Sequence, residues 1–129
     1  MKIKLIRQAL KKGRTMKIED YSFGHIVIDG KEYTSDVLIF PDGRVDSSWW
    51  RDEGHVLKLS DMADLVSAQP EMIIAGTGAS GMMTPESDVA SMLRQKGIEF
   101  NSAPTKDAVG VFNKEGQGRK VAACVDRRC

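Results

Sequence analysis

Cysteine, histidine and long apolar runs are what this chain of 129 residues has least of, and each shortage closes a class of function. The two cysteines are Cys124 and Cys129. A secreted, disulfide-stapled domain carries more, so the expectation is reduced thiols and a cytoplasmic setting. Cys124 sits in the apolar run VAACV and reads as buried. A prenylation box would need a cysteine where Asp126 stands. The two histidines, His25 and His55, have no histidine at helical spacing, and zinc needs three or four ligands, so no metal or other cofactor is expected. No apolar run nears ~20 residues, so no membrane span is expected. The formal net charge is only +1, without the basic excess of a nucleic-acid binder, so no nucleic-acid partner is expected.

What is present fits one folded unit. Apolar residues make up 41% and charged residues 29%, which is ordinary globular usage. Residues 1–16 form a basic arm with Lys2, Lys4, Arg7, Lys11, Lys12 and Arg14, and with Ile3, Ile6 and Leu10 at helical spacing. A mitochondrial presequence has this pattern but usually adds serine, which the arm lacks, so the mitochondrial matrix is the alternative destination. Residues 17–129 are read as a single α/β domain.

Within that domain the first third reads as strands. Asp29-Gly30 separates HIVI from KEYTSDVLIF, and Pro41-Asp42-Gly43 separates that run from RVDSSWW. Asp-Gly between strand-like runs is a hairpin signal, because the turn needs positive φ. A three-stranded meander is expected. The remainder alternates strand and helix. Ser60 is expected to cap a helix bearing Met62, Leu65 and Val66, ended by Pro70. EMIIA (71–75) reads as a buried strand. Thr84-Pro85 reads as the cap and first position of a second helix with Val89, Met92 and Leu93 inward, ended by Gly97. IEFN (98–101) is a strand, Thr105 opens a third helix with Ala108, Val109 and Phe112 inward, and KVAACV (120–125) is the last strand. The predicted architecture is a three-layer α/β fold: a central mixed sheet, with an N-terminal β-meander followed by β-α-β-α-β.

The stretch IIAGTGASGMMTP (73–85) offers two phosphate-binding spacings, and neither is complete. A dinucleotide site needs a helix starting at the third glycine and an acid at the end of the next strand. Here Met82 and Met83 follow Gly81, and Glu99 lies inside IEFN. A phosphate loop needs Lys and then Ser or Thr after the last glycine, where Met82 and Met83 stand. The simpler reading is a tight strand exit at Gly76 and Gly78 and a second bend at Gly81, with backbone amides free to form a small anion nest. Met82 and Met83 are expected to pack against the third helix.

Several motifs occur in a set order: YTSDVLIFPDG (33–43), WWRDEGH (49–55), IIAGTGASGMMTP (73–85), PTKDAVGVFN (104–113) and GRKVAACVDRRC (118–129). Over about residues 17 to 129 this set resembles a small α/β family of uncharacterised proteins found in archaea, bacteria and eukaryotes. That family includes a mitochondrial assembly factor for respiratory complex I and an adipogenesis-associated cytosolic protein. The resemblance implies a three-layer fold with a central mixed sheet and no established catalytic activity for the simple prokaryotic members. For the mitochondrial branch it implies binding to assembly intermediates. Members often carry a histidine and a threonine shortly before the final cysteine. Asp126 and Arg128 hold those places here, which leaves a histidine-dependent site without its histidine.

The remaining concentration of reactive side chains is SSWWRDEGH (47–55). Strand alternation predicts that Trp49 and Trp50 point to opposite faces, leaving one exposed. Aromatic and Arg side chains dominate interface energetics, so Trp50, Arg51 and His55 are the expected contact residues. Asp36 reads as a buried acid needing a cation, with Arg51 or Arg44 as candidates. No residue is assigned a catalytic role. The expected function is a non-catalytic binding or assembly-factor-like module whose partner is another protein. Its surface combines Trp50, Arg51 and His55 with the loop residues Gly76, Thr77, Gly78, Ser80 and Gly81. The competing reading is a small anionic ligand or nucleotide held by that loop, with an enzymatic step.

Overall fold

The computed structural model describes residues 17–22, 24–51 and 53–126. The basic arm 1–16, Asp52 and the tail residues Arg127, Arg128 and Cys129 lie outside the described residues. Three strands, β1 (Ile18–Ser22), β2 (His25–Ile28) and β3 (Lys31–Tyr33), form an antiparallel sheet in that order. Asp29 and Gly30 join β2 to β3 with φ of 48° and 83°, the double positive φ of a type I′ hairpin that Asp-Gly favours.

The run KEYTSDVLIF, expected as one strand, divides at Thr34–Asp36. Its second part, β4 (Val37–Ile39), enters a different sheet and pairs there with β5 (Val45–Asp46) across the Pro41-Asp42-Gly43 turn. The Phe40 N–H donates to the Arg44 carbonyl at 2.9 Å, and Gly43 takes φ 97°. The strand breaks where the Asp36 carboxylate turns toward Arg51, 3.2 Å away. The meander is thus shared between two sheets.

β6 (Val56–Leu57) pairs in parallel with β8 (Thr84–Pro85). The central sheet also holds β7 (Met72–Gly76), β9 (Glu99–Ala103) and β10 (Val121–Val125), in the order β5-β4-β10-β7-β9. β10, β7 and β9 run parallel, and β4 is antiparallel to β10. Side chains alternate faces along these strands. Val37, Ile39, Met72, Ile74, Ala123 and Val125 share one core with Ile18, Ile26 and Ile28 of the first sheet and with Ala108 and Phe112. The last two belong to α3 (Thr105–Glu115). Leu38, Ile73, Ala75, Ala122 and Cys124 face the opposite core. That core is completed by a 3-10 turn (Leu59–Met62), α1 (Ala63–Ser67) and α2 (Val89–Gln95), through Met62, Leu65, Val89 and Leu93. The result is the expected three-layer α/β fold, with both faces of the central sheet covered as its near-continuous apolar strands require.

Three local expectations are corrected. The helix expected at Ser60 starts as a 3-10 turn after Lys58, where the Asp61 carboxylate accepts from the Lys58 N–H at 2.9 Å. Thr84-Pro85 is strand, and α2 begins only at Val89. Thr84 N–H donates to the His55 carbonyl and Glu86 N–H to the Leu57 carbonyl. The ladder therefore uses the amides on either side of Pro85, and the missing proline N–H falls where a strand needs none. Met83 is buried among the residues packed with α1 and α2, not against α3, and Met82 is 54% exposed.

Candidate functional site

The connection from β7 to β9 runs through α2 on one face of the sheet, and that from β9 to β10 runs through α3 on the other. Loops that leave neighbouring parallel strands for opposite faces open the crevice in which α/β sheets bind ligands. Here the two loops are stitched together. The Thr77 N–H donates to the Ala103 carbonyl at 2.9 Å, and the Thr105 N–H donates to the Gly78 carbonyl at 3.0 Å. The Gly78 N–H donates to Thr105 Oγ1 at 2.8 Å. Gly76 lets this happen: a Cβ there would lie 2.9 Å from Thr105 Oγ1. Gly78 and Gly81 hold φ of 101° and 67°, the left-handed conformations their loop positions demand. The Gly81 and Met83 amides donate within the loop, to Gly78 and Thr77. Ser80 is exposed. Beneath Gly76 and Thr105 a void of about 10 Å³ lies in the apolar core against Ala108, Phe112 and Val125.

A chain of buried polar groups leads from this seam to the tryptophan segment. Thr105 Oγ1, which accepts from Gly78, donates to the Asp126 carbonyl at 2.9 Å. The Asp126 side chain is 2% exposed and its carboxylate lies 2.8 Å from Arg51 Nη2. The Arg51 side chain, 6% exposed, also reaches Asp36 through Nη1 at 3.2 Å and the Gly54 carbonyl through Nη2 at 2.8 Å. Of the two cations considered for Asp36, Arg51 is the one in place; Arg44 lies over the Phe40 ring and 3.8 Å from Asp42. The Tyr21 hydroxyl completes the cluster. Burial raises its pKa, a hydrogen bond with Thr105 partly offsets the rise, and the charges of Asp126 and Asp36 add to it. Behind the ion pair, burial pushes the Cys124 thiol up to about 12 despite the opposing pull of Arg51. That thiol stays protonated and is a poor nucleophile.

Trp49 is half-buried: its Nε1–H donates to the Asp61 carbonyl at 2.9 Å, and its ring lies 4.8 Å from the Arg51 guanidinium. Trp50 is 74% exposed, and both tryptophans line one groove outside any strand, so strand alternation does not separate them. That open groove of about 360 Å³ also touches Leu38, Asp46, Ser48 and Asp64. The His55 residue is exposed, and its carbonyl serves the β6–β8 pairing. The structure thus brings Arg51 to the end of β10 and connects it, through Asp126 and Thr105, to Gly76 and Gly78. Sequence reasoning missed Asp126, Tyr21 and Thr105 as members of one cluster. The legible signal was Asp126 itself, an acid directly after the buried run VAACV. Among the described residues no group of His, Cys, Asp and Glu could hold a metal ion, and no helix is long and apolar enough to cross a membrane.

The sequence matches, over residues 18–125, the family described as a protein of unknown function (DUF498/DUF598). No curated protein matches it. Solved structures do. The conserved hypothetical protein PH1505 from Pyrococcus horikoshii superposes with a TM-score of 0.74 at 24% identity, over 88% of this chain and 99% of that one. The protein MT938 gives 0.73 at 28% identity, over 88% and 99%. A Mth938-like domain from Bordetella pertussis, solved in solution by NMR, gives 0.58 at 16% identity, over 88% and 87%.

Proposed function

The chain belongs to this family of proteins of unknown function, and from that premise we propose that it is a non-catalytic protein-binding module of the assembly-factor kind, with its contact surface centred on Trp50. One observation carries the reading. An indole 74% exposed stands next to Arg51, a residue fixed on two carboxylates and a backbone carbonyl. An exposed tryptophan on a pinned segment loses little conformational entropy when a partner covers it, which is the character of an interface anchor. His55 lies on the same segment and is the second contact.

The test is recovery of partners from cell lysate by the wild-type chain and by Trp50→Ala. The variant is expected to lose the partner while keeping the same unfolding midpoint. Equal recovery by both chains removes Trp50 from the proposal. The competing nucleotide reading meets amides at Thr77, Gly78, Gly81 and Met83 that already donate within the protein. Calorimetric titration with NAD(H), nucleotides and phosphate is expected to give no binding heat. Micromolar binding that disappears in Gly78→Val would replace the protein-partner reading with the ligand one.

A further inference from the structure

The edges of the sheets differ in one respect that bears on self-association. An unprotected edge strand offers free N–H and C=O groups to another chain, and proteins blunt such edges with bulges, charges or shortness. β1 is bulged between Ile18 and Asp20 and carries Glu19 and Asp20. β3 is three residues long and begins Lys31-Glu32. β5 has two residues and ends in Asp46. β9, at the far edge of the central sheet, has none of these devices. It is five residues long, pairs with β7 in unbroken register, and its only charge is Glu99 at the start.

The hydrogen-bond phase of β9 is fixed at both ends. The Glu99 N–H donates to the Glu71 carbonyl, and the Ala103 carbonyl accepts from the Thr77 N–H. Backbone groups alternate sides along a strand, so Glu99, Asn101 and Ala103 face β7, while Phe100 and Ser102 turn their N–H and C=O groups outward. Among the described residues nothing pairs with that outer edge. The half-buried Asn101 amide between them also has no hydrogen-bond partner among the described residues.

We propose that β9 pairs antiparallel with β9 of a second copy of this chain, about a two-fold axis passing beside Asn101. In that register Phe100 and Ser102 of each copy exchange N–H···O=C bonds with Ser102 and Phe100 of the other. Asn101 meets Asn101, and two amides can donate to and accept from one another. Glu99 meets Ala103, so the strand's one charge avoids its own copy. Any register that set Glu99 against Glu99 would place like charges face to face. Opposite residues share a face, so the Ser102 end of the partner lies beside Phe100 and the open groove of about 460 Å³ that Phe100 shares with Ala90 and Arg94. The pairing makes one continuous sheet with β5, and the Trp50 segment that follows it, at both outer ends. A partner of the Trp50 surface would then meet a bivalent target. The dimer does not depend on that surface, and Trp50→Ala leaves it intact.

Sedimentation of the full chain over a dilution series tests the proposal, together with two kinds of variant. Ser102→Pro removes an outward N–H and leaves the ladder to β7 whole; it is expected to weaken dimerisation roughly tenfold or more while the chain keeps its fold by circular dichroism. In a Cys129→Ser background, Asn101→Cys is expected to form an interchain disulfide on mild oxidation. A directly opposed non-hydrogen-bonded pair sets the Cα atoms ~4.5 Å apart, within the range a disulfide spans. Glu99→Cys, displaced along the strand from its own copy, is expected not to cross-link. A chain that stays monomeric at every concentration overturns the proposal. So does a dimer that Ser102→Pro leaves unchanged, or a cross-link that forms as readily from Glu99→Cys as from Asn101→Cys.

Discussion

Arg51 is held between two carboxylates, yet its Nε has no hydrogen-bond partner among the described residues. A buried guanidinium in that position is worth more for what its removal leaves behind than for the pair's net attraction. Arg51→Met is expected to cost about 3–5 kcal/mol in urea unfolding, because it removes the guanidinium that lies 2.8 Å from the buried Asp126 carboxylate. Arg51→Lys should recover only part of this, since one ammonium cannot reproduce the fork that reaches Asp36, Asp126 and the Gly54 carbonyl. Two neighbours report the same environment. Cys124 should resist thiol reagents in the native protein and react once it is unfolded. Tyr21 should ionise later than a free tyrosine, whose reference pKa is 10.0. A proton bound more tightly when folded stabilises fully below the unfolded pKa, and that contribution disappears as pH rises through the higher folded value. Stability should therefore fall above about pH 10, and more steeply for the wild type than for Tyr21→Phe, as seen in chemical unfolding at a series of alkaline pH values.

At the scale of elements, Thr105 does the joining. It opens α3, accepts from the Gly78 amide and donates to the Asp126 carbonyl, so one hydroxyl ties the ends of β7 and β10 to the helix. Thr105→Val keeps the shape and strands a buried donor and acceptor. It is expected to cost about 1–3 kcal/mol, with Thr105→Ser close to wild type. Gly76→Ala should also destabilise, by pressing a methyl against that hydroxyl at 2.9 Å. The glycines of this stretch therefore have a packing reason that does not need a ligand: one allows helix and strand to approach, and two supply left-handed turns.

At the scale of the whole molecule, charge is unevenly shared. Residues 1–16 carry six basic side chains and no acid. The rest has thirteen Lys and Arg against 18 Asp and Glu, so a net charge of +1 conceals a basic arm on a domain of net −5. A chain beginning at Lys17 is expected to keep the fold by circular dichroism, because it retains every described residue of both cores. It should bind an anion exchanger at neutral pH where the full chain does not. In the chain that begins at Lys17, self-repulsion of the acidic domain opposes β9 pairing, so its dimer should tighten as salt rises.

Period and punctuation were enough to read the parallel strands of the central sheet and the helices, though not β1, β6 or β8. Asp29-Gly30 fixes its hairpin because few dipeptides tolerate paired positive φ, and VAACV announces a strand buried on both faces because nothing in it is polar. Local signals misled where a residue's partner lies far along the chain. Thr84-Pro85 has the look of a helix start, but His55 and Leu57 supply carbonyls that make it strand. KEYTSDVLIF reads as one strand, but Asp36 turns to an arginine 15 residues on. The cluster of Tyr21, Asp36, Arg51, Thr105 and Asp126 could not be assembled from spacing, since its members come from five separate segments. Hydrophobic alternation along the chain determines which faces are buried; which polar groups meet at the end of the sheet is decided only when the strands take their order, because hydrogen bonds and ion pairs depend on distances that sequence separation does not encode.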